Sequence, residues 1–291
     1  MRHKRVSDYL GAHVSVQGGV HRAPVRGLAI GATAIQVFTK TPGQWREPEI
    51  ARESVTTFRA DCERLELTNI VAHDSYLINL ATPDRLLSAR SRDSFVQELR
   101  RCKAYGIPYL VSHPGNYMDD RAAGLARNAA AYTRCLRAVP GSPMILLETT
   151  AGCGSALGSK FEELAQLREL IGEDVRHRIG FCADTCHLYS SGYDLVNDYD
   201  GVWRQWEKTI GFSHLYCLHL NDSKTAFASC RDRHELIGEG TLGPGPFRRI
   251  MTDRRFERTI KILETPKGDD EVTADRKMLR RLRRYATTRA R

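Results

Sequence analysis

Short apolar runs recur along the chain, each closed by a polar residue or a turn. They are Tyr9–His13, Ala34–Phe38, Asn69–His73, Tyr109–His113, Met144–Glu148, Ile179–Asp184, Leu215–His219 and Thr259–Glu264. Runs this short, rich in aliphatic residues and bounded by turn formers, predict buried strands. The intervening segments change period. Arg52–Leu65 places Val55, Phe58 and Cys62 on one stripe, and Arg92–Ala104 does the same with Phe95, Val96, Leu99 and Cys102. Leu125–Val139 and Phe161–Ile171 behave likewise, so all four predict helices. Gly106, Gly141 and Gly172 punctuate helix ends, with Pro108 and Pro143 shortly after two of them.

From the second strand onward the strand ends fall at 38, 73, 113, 148, 184, 219 and 264, in steps of 35 to 45 residues. One strand, one helix and two short loops fill such a step. Eight strands spaced this way predict an α/β fold, a (β/α)8 TIM barrel in a single domain. The alternative is an open doubly wound sheet. It is disfavoured because no Gly-x-Gly-x-x-Gly turn follows the first strand. Ala151-Gly152-Cys153-Gly154-Ser155 follows a strand but lacks the Lys-Ser/Thr of a phosphate loop, and reads as backbone beside the site. The expected organisation is a basic extension at 1–8, a barrel domain at 9–275 and a basic helix end or tail at 276–291.

The residues that close the strands carry the chemistry. The third to eighth strands end in His73, His113, Glu148, Asp184, His219 and Glu264. His187 follows the sixth strand, and Asp232 and His234 lie in the loop after the seventh. Each has an ordinary reading; Asp184 caps a helix in one, and His187 bonds a carbonyl. In a barrel, however, all nine would meet at the rim where such folds place their chemistry. Nine side chains exceed what one ion takes, since a catalytic zinc uses about three protein ligands. The set therefore suits up to three ions with bridging carboxylates. Imidazole with carboxylate fits zinc, with manganese or iron as alternatives. Three divalent cations over four carboxylates leave a net positive centre that attracts phosphate. A metal also lowers the pKa of water from about 15.7 to near 7. The residues alone thus point to a multinuclear metal hydrolase acting on phosphate esters.

Composition narrows the setting. No apolar run approaches membrane-spanning length, and Met1-Arg2-His3-Lys4-Arg5 lacks the apolar core of a signal peptide, so a cytoplasmic protein is expected. Eight cysteines without a Cys-x-x-Cys pair read as reduced thiols. Cys182 and Cys186 flank Asp184 and read as buried small hydrophobes rather than ligands. The formal charge is +9, but residues 276–291 alone hold eight Lys/Arg and no acid, leaving +1 for the remainder. The overall charge therefore says little about the body's partner. Met278, Leu279 and Leu282 imply that one face of the tail helix packs.

Three stretches make the chain resemble a known family. They are His73-Asp74-Ser75-Tyr76-Leu77-Ile78-Asn79-Leu80-Ala81, Gly180 to His187, and Leu218 to Lys224 continuing to Asp232-Arg233-His234. Gly11-Ala12-His13-Val14-Ser15 and Gly238-Glu239-Gly240 match as well. The sequence is similar to endonuclease IV, the metal-dependent apurinic/apyrimidinic (AP) endonucleases, from about Tyr9 to Glu264. The resemblance implies three zinc ions. It assigns His73, His113 and Glu148 to one, Glu148, Asp184, His219 and Glu264 to a second, and His187, Asp232 and His234 to the third. Glu148 and Glu264 are the implied catalytic carboxylates, working with a metal-bound hydroxide. The implied reaction cleaves the phosphodiester 5′ to an abasic site in double-stranded DNA, leaving a 3′-hydroxyl and a 5′ deoxyribose phosphate. Trimming of blocked 3′ ends, base excision repair and a monomeric state are implied too.

An abasic nucleotide has no base to unpair, so extruding it costs less. The resemblance assigns the wedge into the resulting gap to Tyr76 and Leu77. It also implies an Arg wedge after the second strand, where this chain has Gly43; Gln44, Trp45 and Arg46 are the substitutes at hand, with Tyr76 and Leu77 alone as the alternative. Ala183 replaces a larger aliphatic, and Ala228 replaces Gly or Asn. The rival readings are a sugar isomerase or epimerase on a related barrel, needing fewer metals, and a damage-binding protein without turnover.

Overall fold

The computed structural model describes residues 8–141 and 143–287, so most of the expected 1–8 extension and residues 288–291 of the tail lie outside the described residues. Eight strands close a parallel barrel: β1 (Leu10–His13), β2 (Ala34–Phe38), β3 (Asn69–His73), β4 (Tyr109–Ser112), β5 (Met144–Glu148), β6 (Ile179–Asp184), β7 (Leu215–His219) and, last in the chain, β10 (Ile260–Leu263). The order around the barrel is β1-β10-β7-β6-β5-β4-β3-β2. Between β7 and β10 runs a two-stranded antiparallel ribbon, β8 (Asp222–Ser223) and β9 (His234–Glu235). The helices are α1 (Ala23–Ile30), α2 (Arg52–Arg64), α3 (Arg85–Tyr105), α4 (Arg121–Ala138), α5 (Phe161–Leu170), α6 (Glu173–Arg176), α7 (Thr185–Ser190), α8 (Tyr199–Thr209), α9 (Pro244–Thr252) and α10 (Glu271–Thr287).

The expected strands match to within one residue at either end. Helix periodicity is a weaker guide. α3 begins seven residues before the expected start, because Asp84 caps it by accepting from Leu87 N, and α4 begins four residues early on an Asp120 cap. The periodicity picks out none of α1, α6, α7, α8 and α9. α10 runs unbroken from Glu271, with Met278, Leu279 and Leu282 buried. No helix among the described residues is long and apolar enough to cross a membrane.

The core divides into two shells, and period-2 alternation assigns residues between them. The larger shell lies between strands and helices and includes Leu10, Ala12, Ile35, Ile70, Ala72, Leu110, Ile145, Leu147 and Ala183. The inner one fills the barrel with Ala34, Val71, Val111, Leu146, Cys182, Cys217, Ile260 and Ile262. Cys182 and Cys186 are fully buried. Gly11 is required where β1 meets β2, since a Cβ there would stand 1.6 Å from the Ala34 carbonyl oxygen.

Candidate metal centre

Adding two to each inner-shell position gives the next layer up the barrel. Ala34 leads to Gln36, Val71 to His73, Val111 to His113, Leu146 to Glu148, Cys182 to Asp184, Cys217 to His219 and Ile262 to Glu264. Gly11 leads likewise to His13. Every strand thus contributes one polar side chain above an apolar plug. The plug holds the layer in place, and the strand ends open it to a cavity of about 1030 Å³ lined by His73, His113, His187, Asp232, His234 and Glu264, among others.

At this layer and in the loops above it, donor atoms of the described residues converge in five groups, each with all atoms within 4.8 Å of one another. Three are the expected sets: His73, His113 and Glu148; Glu148, Asp184, His219 and Glu264; and His187, Asp232 and His234. The other two bring in buried thiols, Cys182 and Cys217 beside His219, and Cys186 beside Asp184 and His234. Glu148 belongs to two of them. Its Oε2 lies 3.2 Å from His73 Nε2 and 3.0 Å from His113 Nε2, while Oε1 lies 2.9 Å from His219 Nδ1. Asp232 reaches His187 Nε2 and His234 Nε2 with one oxygen each, both at 3.1 Å. Asp184 does cap a helix, accepting from His187 N at 2.9 Å, and its other oxygen accepts from Asn221 Nδ2 at 2.6 Å. Capping and a place in the centre coexist in one carboxylate.

The imidazole orientations decide what the groups can hold. His73 Nδ1 faces the Asp74 carbonyl at 2.9 Å, His187 Nδ1 the Thr149 carbonyl at 2.8 Å and His234 Nδ1 the Glu264 carbonyl at 3.2 Å. His219 Nε2 faces the Gln36 amide oxygen at 2.8 Å. An oxygen acceptor fixes the N–H on the nitrogen that faces it. A neutral ring then turns its bare nitrogen toward carboxylate oxygens, which is repulsive unless a cation sits between them. His187 Nε2 and His234 Nε2 are buried without a hydrogen-bond partner. Their 3.1 Å contacts to Asp232 have hydrogen-bond length but not hydrogen-bond geometry. This donor set fits divalent metal ions.

Protonation gives the same answer. Burial pulls the His73 pKa down, but the Glu148 carboxylate outweighs it and raises the ring to about 9. His234 also rises to about 9, where Asp184 and Asp232 overcome burial. His187 and His219 are driven well above the ordinary value by the same contest. Burial pushes the Glu148 carboxyl up, yet facing His219 and His113 it stays well below the usual carboxylate range. The layer demands positive charge and takes protons when nothing else supplies it.

The reading of strand ends does not single out Gln36 or His13. Gln36 Nε2 donates to Glu264 Oε1 at 2.6 Å, and His13 Nδ1 lies 3.4 Å from the same oxygen. Both are reachable by the two-residue step from Ala34 and Gly11. Of the expected DNA-contacting residues, Tyr76 lines the large cavity, 69% exposed, with its ring edge against Phe38. Leu77, Gln44 and Trp45 do not line it. Trp45 is half-buried, with the Arg90 guanidinium 4.6 Å over its ring. Ala228 sits at φ 55°, a left-handed conformation that suits Gly or Asn better, and nothing in the structure explains the alanine.

Residues 26–284 match the family model described as xylose isomerase-like TIM barrel. The chain is 44% identical over 292 residues to the probable endonuclease 4 of Geobacter sulfurreducens, covering 98% of each. It is 44% identical over 277 residues to that of Chloroflexus aggregans, covering 94% of this chain and 96% of the relative. The crystal structure of endonuclease IV from Thermus thermophilus superposes with a TM-score of 0.84 at 32% identity, over 94% of this chain and 98% of that one. The chain belongs to the endonuclease IV family. Members of this family are thus its near relatives in both sequence and structure. D-psicose 3-epimerase from Clostridium cellulolyticum, 13% identical with a TM-score of 0.62 over 90% of this chain and 88% of that one, shares the barrel alone.

Proposed function

We propose that the protein is an AP endonuclease of base excision repair, hydrolysing the phosphodiester 5′ to an abasic site in double-stranded DNA. The products are a 3′-hydroxyl and a 5′ deoxyribose phosphate, and blocked 3′ ends are trimmed at the same centre. One observation carries this reading: three donor groups, two of them joined through Glu148, open on a cavity large enough for an extruded nucleotide. The groups are suited to three zinc ions, with manganese or iron as alternatives in one of them. Bound ions would supply Lewis acidity at phosphoryl oxygens and a water acidified to near neutral pKa.

The chain's own residues do the rest. Glu148, buried, and Glu264, half-buried, supply negative charge that the layer holds ionised, and His219 lies between them, 2.9 and 3.2 Å from their oxygens. His113 and Asp232, with side chains 41% and 46% exposed, are the donors open to an incoming phosphate. Tyr76, standing at the rim, fills the gap an abasic nucleotide leaves when it swings into the cavity. Leu77, Gln44 and Trp45 extend this contact along the duplex. The protein acts as a monomer in the cytoplasm. The reading is tested with a duplex carrying one defined abasic site. Metal-replete protein should nick it, and chelated protein and His73→Ala should leave it intact. Intact, metal-replete protein that spares the duplex would overturn the proposal.

A further inference from the structure

Of the chain's eight cysteines, Cys153 and Cys230 are exposed, Cys62 is half-buried and the other five are buried. The exposed two come from different loops, one following β5 and one between β8 and β9, yet they meet. Cys153 Sγ lies 2.5 Å from the Cys230 carbonyl oxygen. A Cβ built at Gly152 would stand 3.9 Å from Cys230 Sγ, so the second sulfur lies over the backbone next to the first cysteine. Cys230 holds a left-handed φ of 54°, and its N–H donates to the Ser190 carbonyl at 2.9 Å. Ser190 Oγ donates in turn to the Arg231 carbonyl at 2.9 Å. The segment is thus fastened to α7 on one side and touches Cys153 on the other. The nuclease reading uses neither thiol.

We propose that Cys153 and Cys230 form an oxidisable dithiol that closes to an intramolecular disulfide in the presence of a peroxide. One sulfur attacks a peroxide oxygen, the O–O bond breaks, and a sulfenic acid and one water form. The other thiol then attacks that sulfur, the S–O bond breaks, the S–S bond forms and a second water leaves. The two thiols together lose two electrons and the peroxide gains them. A disulfide tolerates Cα separations of about 4.4–6.8 Å, a range open to a cysteine whose sulfur already touches its partner's carbonyl. The link joins the loop that holds Gly152 to the segment leading into Asp232. Gly152, Cys153 and Asp232 line one small cavity with His113 and His187, so the modification sits at the mouth of the centre.

The test uses the reduced full-length protein, treated with hydrogen peroxide, alkylated with a maleimide and analysed by intact mass and peptide mapping. The expected result is a loss of the mass of two hydrogens, both cysteines unlabelled, and a Cys153–Cys230 cross-linked peptide that dithiothreitol dissolves. Cys153→Ser and Cys230→Ser should each abolish the cross-link while leaving the melting curve of the reduced protein unchanged. Full labelling of both thiols after peroxide would overturn the proposal. So would separate over-oxidation of each sulfur, or a bond to a different cysteine or a second chain. None of these outcomes depends on the nuclease reading.

Discussion

Two largely buried polar clusters of this fold balance charge in opposite ways. Outside the strands, Lys40 Nζ lies 2.7 Å from Glu47 Oε1, Arg101 Nη1 lies 2.6 Å from Glu47 Oε2 and Arg101 Nη2 lies 3.0 Å from Glu98 Oε1. Two cations meet two carboxylates, so the charge of this cluster balances without an added ion. It fastens the loop that follows β2, where Gly43, Gln44 and Trp45 reside. At the top of the barrel, Glu148, Asp184, Asp232 and Glu264 converge with neutral-capable imidazoles and no Lys or Arg within ion-pair distance among the described residues. The pKa directions record the contrast. For Glu98 burial prevails over Arg101 and the carboxyl is raised; for Glu148 the histidine charges prevail over burial and it is lowered. A self-neutral cluster serves structure, whereas one that leaves a charge deficit serves to bind.

The sharpest way to break this comparison is at Arg101. Arg101→Met leaves Glu98 and Glu47 without their shared cation and should cost about 3–5 kcal/mol of stability in urea unfolding. Pairing it with Glu98→Leu should recover most of that loss; a double mutant as unstable as the single one would mean the cluster is more than an ion pair. Next in size is a pH effect at the rim. In metal-stripped protein, His73 has a folded pKa of about 9 against an ordinary value of 6.5. The stability it contributes is therefore fully present below about pH 6.5 and lost as pH rises through about 9, on the order of 3 kcal/mol. Metal-loaded protein should show no such fall, because the cation takes the proton's place. Thermal melts across that window, with and without chelator, distinguish the two, and equal slopes would refute the charge-deficit reading.

Gln36→Leu should come third. It removes the oxygen that fixes the His219 tautomer and should weaken metal retention by about 10–100-fold without lowering stability to match. Metal content after dialysis against a weak chelator reads this directly, and unchanged retention would reduce Gln36 to packing. The smallest effect is expected at Gly43, where a built Cβ meets nothing within 4 Å. Gly43→Arg should tighten binding to abasic duplex by about 0.5–1 kcal/mol, the scale of an exposed stacked cation. Unchanged affinity would mean that Tyr76 already fills the gap.

The strands are legible in the sequence because a parallel barrel buries both of their faces, which makes them short continuous apolar runs. The residues that close them are legible because a carboxylate or imidazole at the end of such a run has little reason to pack. His13 and Gln36 escape notice because they read as part of a motif or as a polar residue in mid-strand. Only the alternation within the barrel shows that they share the layer of the others. α9 is missed for a different reason: it lies in the longest connection, between β7 and β10, where one helix and two short loops do not account for the chain.

From the order of residues alone come the eightfold repeat, the nine donor-type side chains and the family likeness, because each is a local or periodic property of the chain. The three-way grouping of those donors rests, until folding, on resemblance. Folding decides that each oxygen of Glu148 faces a different set of imidazoles, that a carbonyl or an amide holds each of four rings in one orientation, and that two cysteines far apart in the chain touch at the rim. Those are facts about directions and separations across strands and loops. They come into being only when the barrel closes and eight alternating strands turn the same layer inward.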